Sequence, residues 1–259
     1  GVIDMVQDQL QKFGGDWTER KLEMLRGYLS AYTTALKYKR WKLAYIDAFA
    51  GTGYRENSTQ QNDEEGLFSV FSAEEDRQKF LDGSASYALK TKPEFSQYVF
   101  MELSKKKYIE LQKLREDYPE KANRIEILQG EANELLQEYC QKTNWRYWRS
   151  VLFLDPFGMQ VEWKTLEIIA KTGAIDVWIL FPVGVAANRL LMKDPRKIPD
   201  SWKRRLNLVF GSDEWELLFY KKHKTQTLLG KQEIATKTCT LKSIAEYYHR
   251  KLKILFPNV

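Results

Sequence analysis

The sequence predicts an α/β fold in which helices alternate with the strands of a mostly parallel sheet. Five short apolar runs are separated by segments with apolar residues at helical spacing; the runs are 43–49, 97–103, 125–128, 151–154 and 175–181. This alternation is typical of parallel sheets, whose strands are joined by helical crossovers. Several runs also carry an acid at or just beyond their carboxyl end, where α/β sheets bind ligands.

The helices are predicted from the spacing of apolar residues and from capping residues. The first begins at Asp16 or Thr18 and continues to about Tyr38, with apolar residues three or four positions apart. Further helices are expected over 86–92, over 105–118, through Glu138 and Cys140, and over 241–255. Pro119 ends the helix over 105–118, because proline cannot continue it.

The first apolar run leads into a glycine-rich turn. It contains Asp47 and continues as Phe49-Ala50-Gly51-Thr52-Gly53, where the glycines allow a ligand close to the backbone. Glu56 stands where the dinucleotide-binding fingerprint has its third glycine, and no Gly-Lys-Ser/Thr follows. The loop better suits a ligand with a ribose, an adenine and a charged amino-acid tail, which describes S-adenosylmethionine. A simple turn is the alternative.

A polar segment separates this turn from the next helix. Residues 54–80 are rich in Asn, Gln, Ser, Asp and Glu, a composition that cannot bury much surface. We interpret them as a flexible insertion, after which Gly83 and Ser84 supply the beginning of a helix. Ser84 is therefore a candidate cofactor contact.

Acids also occur near the ends of the second and third runs. Glu102 and Leu103 end the second run, and in doubly wound folds an acid at this position commonly accepts hydrogen bonds from ribose hydroxyls. Glu131 and Ala132 follow the third run, where an adenine ring would lie. A helix N-terminal charge at Glu102 and a simple helix cap at Glu131 are the alternatives.

The fourth run ends in Asp155-Pro156-Phe157-Gly158, which predicts a rigid corner in the ligand crevice. A carboxylate there can accept hydrogen bonds from an exocyclic amine, and an aromatic ring can stack on a flat base. Such a corner suits methyl transfer to nitrogen, because the amine must be aimed at the methyl donor. These four residues are the catalytic candidates.

Positive charge is concentrated in the last third of the chain. Residues 186–259 hold 16 Lys and Arg against 7 Asp and Glu. We expect a core over 1–189, followed over 190–259 by a helical basic and aromatic cap and the last core helix. Interleaved basic and aromatic residues are typical of nucleic-acid surfaces; a cap packed by its aromatics is the alternative. The candidate substrate or nucleic-acid contacts are Asn188, Arg189, Lys203, Arg204 and Arg205.

Composition excludes several classes of protein. The two cysteines, Cys140 and Cys239, and the two histidines, His223 and His249, are too dispersed for a disulfide framework or a metal centre. No apolar run is long enough to cross a membrane, and the first residues do not resemble a secretory signal. We therefore expect a cytoplasmic protein without a metal ion or a membrane partner.

Taken together, the motifs resemble the class I methyltransferase fold, and more closely the three-Cys-motif partner protein family. The resemblance rests on five stretches: Asp16-Trp17-Thr18-Glu19 with Lys21 and Leu22, Tyr45 to Gly53, Gly83-Ser84-Ala85, Leu154 to Gly158, and Phe181-Pro182-Val183-Gly184. It implies a Rossmann-like sheet with helices on both faces and S-adenosylmethionine as cofactor. It further implies a carboxylate contact for Lys21, which is otherwise a solvated lysine, and a protein partner bearing three cysteines.

Two departures refine this expectation. Amino-directed DNA methyltransferases carry Asp/Asn-Pro-Pro-aromatic at the corner, whereas Asp-Pro-Phe-Gly is more similar to transfer-RNA guanine N2-methyltransferases. The motif thus favours nitrogen chemistry without selecting a base. Class I methyltransferases also finish with a sixth strand and an antiparallel seventh, so we expect that C-terminal strands are missing after Val259.

Three functions are compatible with these features. The leading hypothesis is an S-adenosylmethionine-dependent N-methyltransferase that acts on an exocyclic amine of a base in DNA or RNA. The second is a non-catalytic partner or scaffold of a three-cysteine protein in a nucleic-acid modification or defence system. The third is a methyltransferase of small molecules or proteins.

Overall fold

The structure, a computed structural model, describes residues 3–4, 15–50, 83–156, 158–184, 188–227 and 230–258. Four of the predicted site residues, Gly51, Thr52, Gly53 and Phe157, lie outside these ranges, as does the predicted insertion 54–80. The helices that contain Lys21 and Asn188 are described, but their side chains are not. The chain divides into two compact units, the larger comprising Leu10–Asp155 and Thr172–Trp178.

The larger unit contains the main part of a parallel sheet. After the two-residue strand β1 (Ile3–Asp4) of the smaller unit, the strands are β2 (Lys42–Asp47), β3 (Gln97–Glu102), β4 (Ile125–Gln129), β5 (Trp148–Leu154) and β6 (Ile175–Ile179). These five lie in the order β4-β3-β2-β5-β6, and the pairs β2–β3, β2–β5 and β3–β4 are parallel. The order reverses beside β2, which is where doubly wound sheets open a ligand crevice. The α/β fold class is thus confirmed.

The helices of the larger unit follow their apolar spacing. They are α1 (Gly15–Leu36), α2 (residues 83–90), α3 (Lys105–Leu111), α4 (Lys113–Asp117) and α5 (Ala132–Lys142), with a 3₁₀ turn over Pro119–Arg124. In α1, Leu25, Leu29 and Thr33 are fully buried at intervals of four. The expected helix over 105–118 is divided at Gln112. Pro119 begins the 3₁₀ turn, a position whose N–H has no partner within a helix, so the missing N–H of proline costs nothing there.

The smaller unit is packed around aromatic rings. It contains α6 (Trp163–Lys171), α7 (Asn188–Leu190), α8 (Asp200–Phe210), α9 (Trp215–Phe219) and α10 (Leu241–Leu255), with a 3₁₀ turn over Pro195–Lys197. Phe181 stacks on Tyr248 with ring centroids 3.8 Å apart. Phe210 contacts Phe219 and Tyr247 edge-on. The first turn of α10 is closed by a reciprocal cap between Thr240 and Ser243.

The prediction of a helical basic and aromatic C-terminal segment is wrong for residues 220–237. Strands β7 (Tyr220–Thr227) and β8 (Gly230–Lys237) pair antiparallel, with Tyr220 opposite Lys237 and Thr227 opposite Gly230. The strands contain Thr225, Thr227, Ile234 and Thr236, β-branched residues that lose little freedom in an extended chain. Within the described residues, no helix has the length and apolar character needed to cross a membrane.

Candidate cofactor site

The candidate site begins at Asp47, the last residue of β2. This side chain is fully buried. One carboxylate oxygen accepts the backbone N–H of Phe49 at 3.1 Å, and the other accepts the hydroxyl of Ser84 at 3.3 Å. The first bond turns the chain out of the strand, and the second joins the strand end to α2. Ser84, predicted as a cofactor contact, therefore supports Asp47.

The chain that leaves β2 is held by both neighbouring strands. The N–H of Ala48 donates to the carbonyl of Phe153 at 3.2 Å, and the N–H of Ala50 donates to the carbonyl of Met101 at 3.1 Å. Phe49 and Ala50 are both 4% exposed. Residues 48–50 are consequently fixed at the carboxyl edge of the sheet, immediately before the predicted glycine turn.

Glu102 ends the neighbouring strand, β3, and is 1% exposed. Its carboxylate accepts the N–H of Ser104 at 2.6 Å, which fixes the turn into α3. The next side chain differs sharply, because Leu103 is 61% exposed. The contacts of Glu102 with a ribose and of Leu103 with the cofactor stay predictions.

Glu131 caps helix α5. Its carboxylate accepts the N–H of Glu134 at 3.1 Å and the side-chain amide of Asn133 at 2.8 Å. Ala132 and Asn133 are buried in the first turn of this helix. The structure therefore gives Glu131 the capping geometry, and its contact with an adenine stays a prediction.

Two other acids influence the buried Asp47 at this edge of the sheet. Burial raises the pKa of Asp47 to about 7, the hydrogen bonds from Phe49 and Ser84 oppose the rise, and the charges of Asp155 and Glu102 add to it. Asp155 directly follows β5, so the acids come from the ends of three adjacent strands. Such an edge favours a cationic group, because each acid stabilises positive charge.

The other predicted residues described by the structure lie in the smaller unit. Pro156 is buried and Gly158 half-buried; both line a small cleft with Phe181 and Tyr248. Of the predicted nucleic-acid contacts, Arg189 and Arg204 are exposed. Lys203 lies 3.6 Å from Glu216, and Arg205 lies 3.9 Å from Glu162. Both of these pairs are partly exposed and weak.

Two residues of the site were not among the sequence candidates. Tyr45 is fully buried beside Asp47; burial, and then the charge of Asp47, raise the pKa of Tyr45, so its hydroxyl keeps its proton. Asn133 orients the carboxylate of Glu131. Tyr45 could have been predicted from its position, because it places a polar ring two residues before an acid at the end of a strand. Asn133 could have been predicted because it places an amide in the first turn of a helix.

The strand order and the position of the acids define a Rossmann-like α/β protein. Several solved structures are similar to this chain. Among them is protein LPL1258 from Legionella pneumophila str. Philadelphia 1, with 14% identity, 91% of each chain covered and a TM-score of 0.37. Another is yhhF from Escherichia coli, described as a methyltransferase, with 12% identity, 84% of this chain and 87% of that chain covered and a TM-score of 0.29. A protein from Staphylococcus aureus described as a caffeoyl-CoA O-methyltransferase has 13% identity, 89% of this chain and 95% of that chain covered and a TM-score of 0.34.

These TM-scores are all below 0.5, so the fold assignment rests on the strand order rather than on the similar chains. No protein-family model matches the chain, and no curated protein matches it.

Proposed function

We propose that this protein binds S-adenosylmethionine at the carboxyl edge of its sheet and methylates an exocyclic amine of a nucleic-acid base. The observation that carries the proposal is the convergence of Asp47, Glu102 and Asp155 at the ends of three adjacent strands. The cofactor has a sulfonium and an ammonium group, which suit an acidic edge, and a ribose, which suits a buried glutamate.

The charge, polarity and size of the side chains fit this cofactor. Glu102 would accept the ribose hydroxyls, and the exposed Leu103 would cover one face of the adenine. Phe49 and Ala50 hold the strand end from which residues 51–53 continue, and Ala132 is the small residue beside the cap at Glu131. When bound, the cofactor supplies an activated methyl group, so the protein need only position the amine and exclude water.

Asp155 is the candidate that would orient the amine. Its side chain is half-buried directly after β5, on the strand beside β2. A carboxylate there would accept a hydrogen bond from the N–H of the base and direct the nitrogen lone pair toward the methyl group. Phe157, outside the described residues, would stack on the base.

The test is methyl transfer from cofactor with a labelled methyl group to duplex DNA and to transfer RNA. At saturating cofactor we expect label in the nucleic acid with the wild type and little transfer with Asp155→Asn, although this variant still binds the cofactor. We expect normal transfer with Asp117→Asn, which changes an exposed acid. Transfer by Asp155→Asn at the wild-type rate would refute the role of Asp155. Absence of transfer to both nucleic acids, with the cofactor bound, would refute the proposed substrate.

One observation favours a second candidate, the non-catalytic partner of a three-cysteine protein. Both carboxylate oxygens of Asp47 already have hydrogen-bond donors from the chain itself, so the strand end is satisfied without a ligand. The resemblance of the sequence motifs to the three-Cys-motif partner family supports the same candidate. This function would be favoured over catalysis if the protein bound a three-cysteine partner but neither the cofactor nor its demethylated product.

A further inference from the structure

The β7–β8 hairpin is anchored at its base. The hydroxyl of Tyr220 donates to the carbonyl of Met192 at 2.7 Å, and the N–H of Lys237 donates to the carbonyl of Lys193 at 3.0 Å. The N–H of Thr238 donates to the carbonyl of Phe219 at 2.8 Å. Tyr220 is buried, so the aromatic packing of the smaller unit fixes the point at which the two strands start.

Beyond this base, the first strand is basic and exposed. Lys221, Lys222, His223 and Lys224 are all exposed. Because side chains alternate along a strand, Lys221 and His223 occupy one face of the hairpin, whereas Lys222 and Lys224 occupy the other. The hairpin therefore presents cationic residues on both of its faces.

The two lysines nearest the base have neutral neighbours across the strand pair. Lys221 is opposite Thr236, and Lys222 is opposite Ala235, whereas Lys224 is opposite Glu233. Within the part of the chain that the structure describes, neither Lys221 nor Lys222 forms an ion pair with an acid. They differ in this respect from Lys203 and Arg205 of α8, which lie near Glu216 and Glu162. Their positive charge is available to an external anion.

We propose that the β7–β8 hairpin binds double-stranded DNA through its phosphates. The major groove of B-form DNA, about 12 Å wide, admits a two-stranded β-ribbon. A ribbon that enters the groove edge-on has one phosphate backbone beside each of its faces. This arrangement matches cations on both faces, whereas a flat membrane surface would favour cations on one face. The narrow major groove of A-form RNA does not admit such a ribbon. The inference rests on the proposed function for a nucleic acid as substrate, and it narrows that class to duplex DNA.

The test is fluorescence anisotropy with a labelled DNA duplex of about 20 base pairs, measured without cofactor over a range of salt concentrations. Each lost phosphate contact lowers the steepness of the salt dependence by about 0.9. For Lys221→Gln/Lys222→Gln we expect the slope of log K against log salt to fall by about 2, and the affinity at 0.1 M salt to fall at least about tenfold. An unchanged slope in this variant would overturn the proposal.

The matched control is Lys39→Gln/Lys113→Gln, which removes the same charge from exposed positions in the larger unit. We expect DNA affinity to stay within about twofold of the wild type, because long-range attraction between exposed charges is screened by salt. An equal loss in both double variants would reduce the effect to net charge and overturn the hairpin assignment. Tighter binding of a duplex RNA of the same sequence, or of anionic vesicles, would also overturn it.

Cofactor titration separates the two proposals. We expect Lys221→Gln/Lys222→Gln to bind S-adenosylmethionine as the wild type does. A wild type that binds the cofactor but not the duplex would overturn the hairpin inference and leave the cofactor site standing. Hairpin-dependent duplex binding without cofactor binding would support the hairpin and refute the proposed function.

Discussion

Ser84 donates its hydroxyl hydrogen to Asp47 across 3.3 Å, and both side chains are fully buried. The two residues are 37 positions apart in the chain, so this bond joins α2 to the end of β2. Burial disfavours the charged form of Asp47, and the hydrogen bond from Ser84 partly offsets this cost. Stability and ligand binding at this edge of the sheet should therefore both depend on the protonation of Asp47.

Asp47→Asn should stabilise the protein at high pH. The pKa of Asp47 is about 7 in the folded state, above its ordinary value of 3.8. Because the pKa of Asp47 is higher in the folded state, its protonated form stabilises the fold fully at a pH below the ordinary pKa. This stability is lost as the pH rises through the pKa of the folded state. An asparagine keeps the shape without the charge. Since each unit of pKa shift corresponds to about 1.4 kcal/mol, we expect the gain in the free energy of unfolding to be about 3 kcal/mol larger at pH 8.5 than at pH 5.

Urea unfolding of the wild type and of Asp47→Asn at these two pH values measures the difference. The control is Asp117→Asn, an exposed acid whose replacement should change stability equally little at both pH values. Equal destabilisation of Asp47→Asn at pH 5 and pH 8.5 would show that Asp47 is not protonated near neutral pH.

Ser84→Ala should destabilise the protein by about 1 to 3 kcal/mol, because it removes a donor from a buried carboxylate. The loss should be greater above pH 7, where Asp47 is charged and needs the donor more. Ser104→Ala is the matched control, since the Ser104 side chain makes no capping hydrogen bond to α3. Thermal unfolding of both variants at pH 6 and pH 8.5 is the measurement; equal losses in the two variants would contradict the account.

Leu103→Ala should weaken cofactor binding without affecting stability. The side chain is 61% exposed, so its removal leaves no cavity. If it covers an adenine face, the lost apolar contact should cost about 1 kcal/mol, or about fivefold in Kd. Ile109→Ala changes a similarly exposed residue of α3 and should leave Kd unchanged. Calorimetric titration with the demethylated cofactor measures both, and equal affinities would place the adenine elsewhere.

Gly211→Ala should destabilise the protein more than Gly173→Ala. Both glycines have positive φ, 72° and 57°, so an alanine at either position costs about 1 to 2 kcal/mol. At Gly211 an added Cβ would lie 2.3 Å from the ring of Trp163, whereas at Gly173 it would meet nothing within 4 Å. We expect the Gly211 variant to lose at least about 1 kcal/mol more in urea unfolding. Equal losses would mean that Trp163 moves without cost.

The sequence was sufficient to predict the sheet but not the ends of its strands. The run over 43–49 was predicted as one strand, yet β2 ends at Asp47, because the Asp47 carboxylate accepts the N–H of Phe49. The run over 175–181 likewise ends early, at Ile179. In both cases the residues after the strand are also buried, so the apolar run is longer than the strand. An apolar run therefore does not reveal where the hydrogen bonds between strands stop.

The hairpin was missed for a different reason. Its first strand begins Tyr-Lys-Lys-His-Lys, without the alternation of apolar and polar residues that marks a half-buried strand. The β-branched residues at 225, 227, 234 and 236 were the available signal. Around the candidate site, the strand-end acids could be read from the sequence. The bond from Ser84 to Asp47 could not, because it depends on how α2 packs against the sheet.

The most direct test of the cofactor site is calorimetric titration of S-adenosylmethionine into the wild type, Glu102→Gln and Glu110→Gln. Glu102 is buried at the end of β3, whereas Glu110 is an exposed acid on α3. We expect micromolar binding by the wild type and by Glu110→Gln, and at least about tenfold weaker binding by Glu102→Gln, because a charge-assisted hydrogen bond to the ribose is lost. No binding by the wild type, or equal binding by all three proteins, would contradict the assignment.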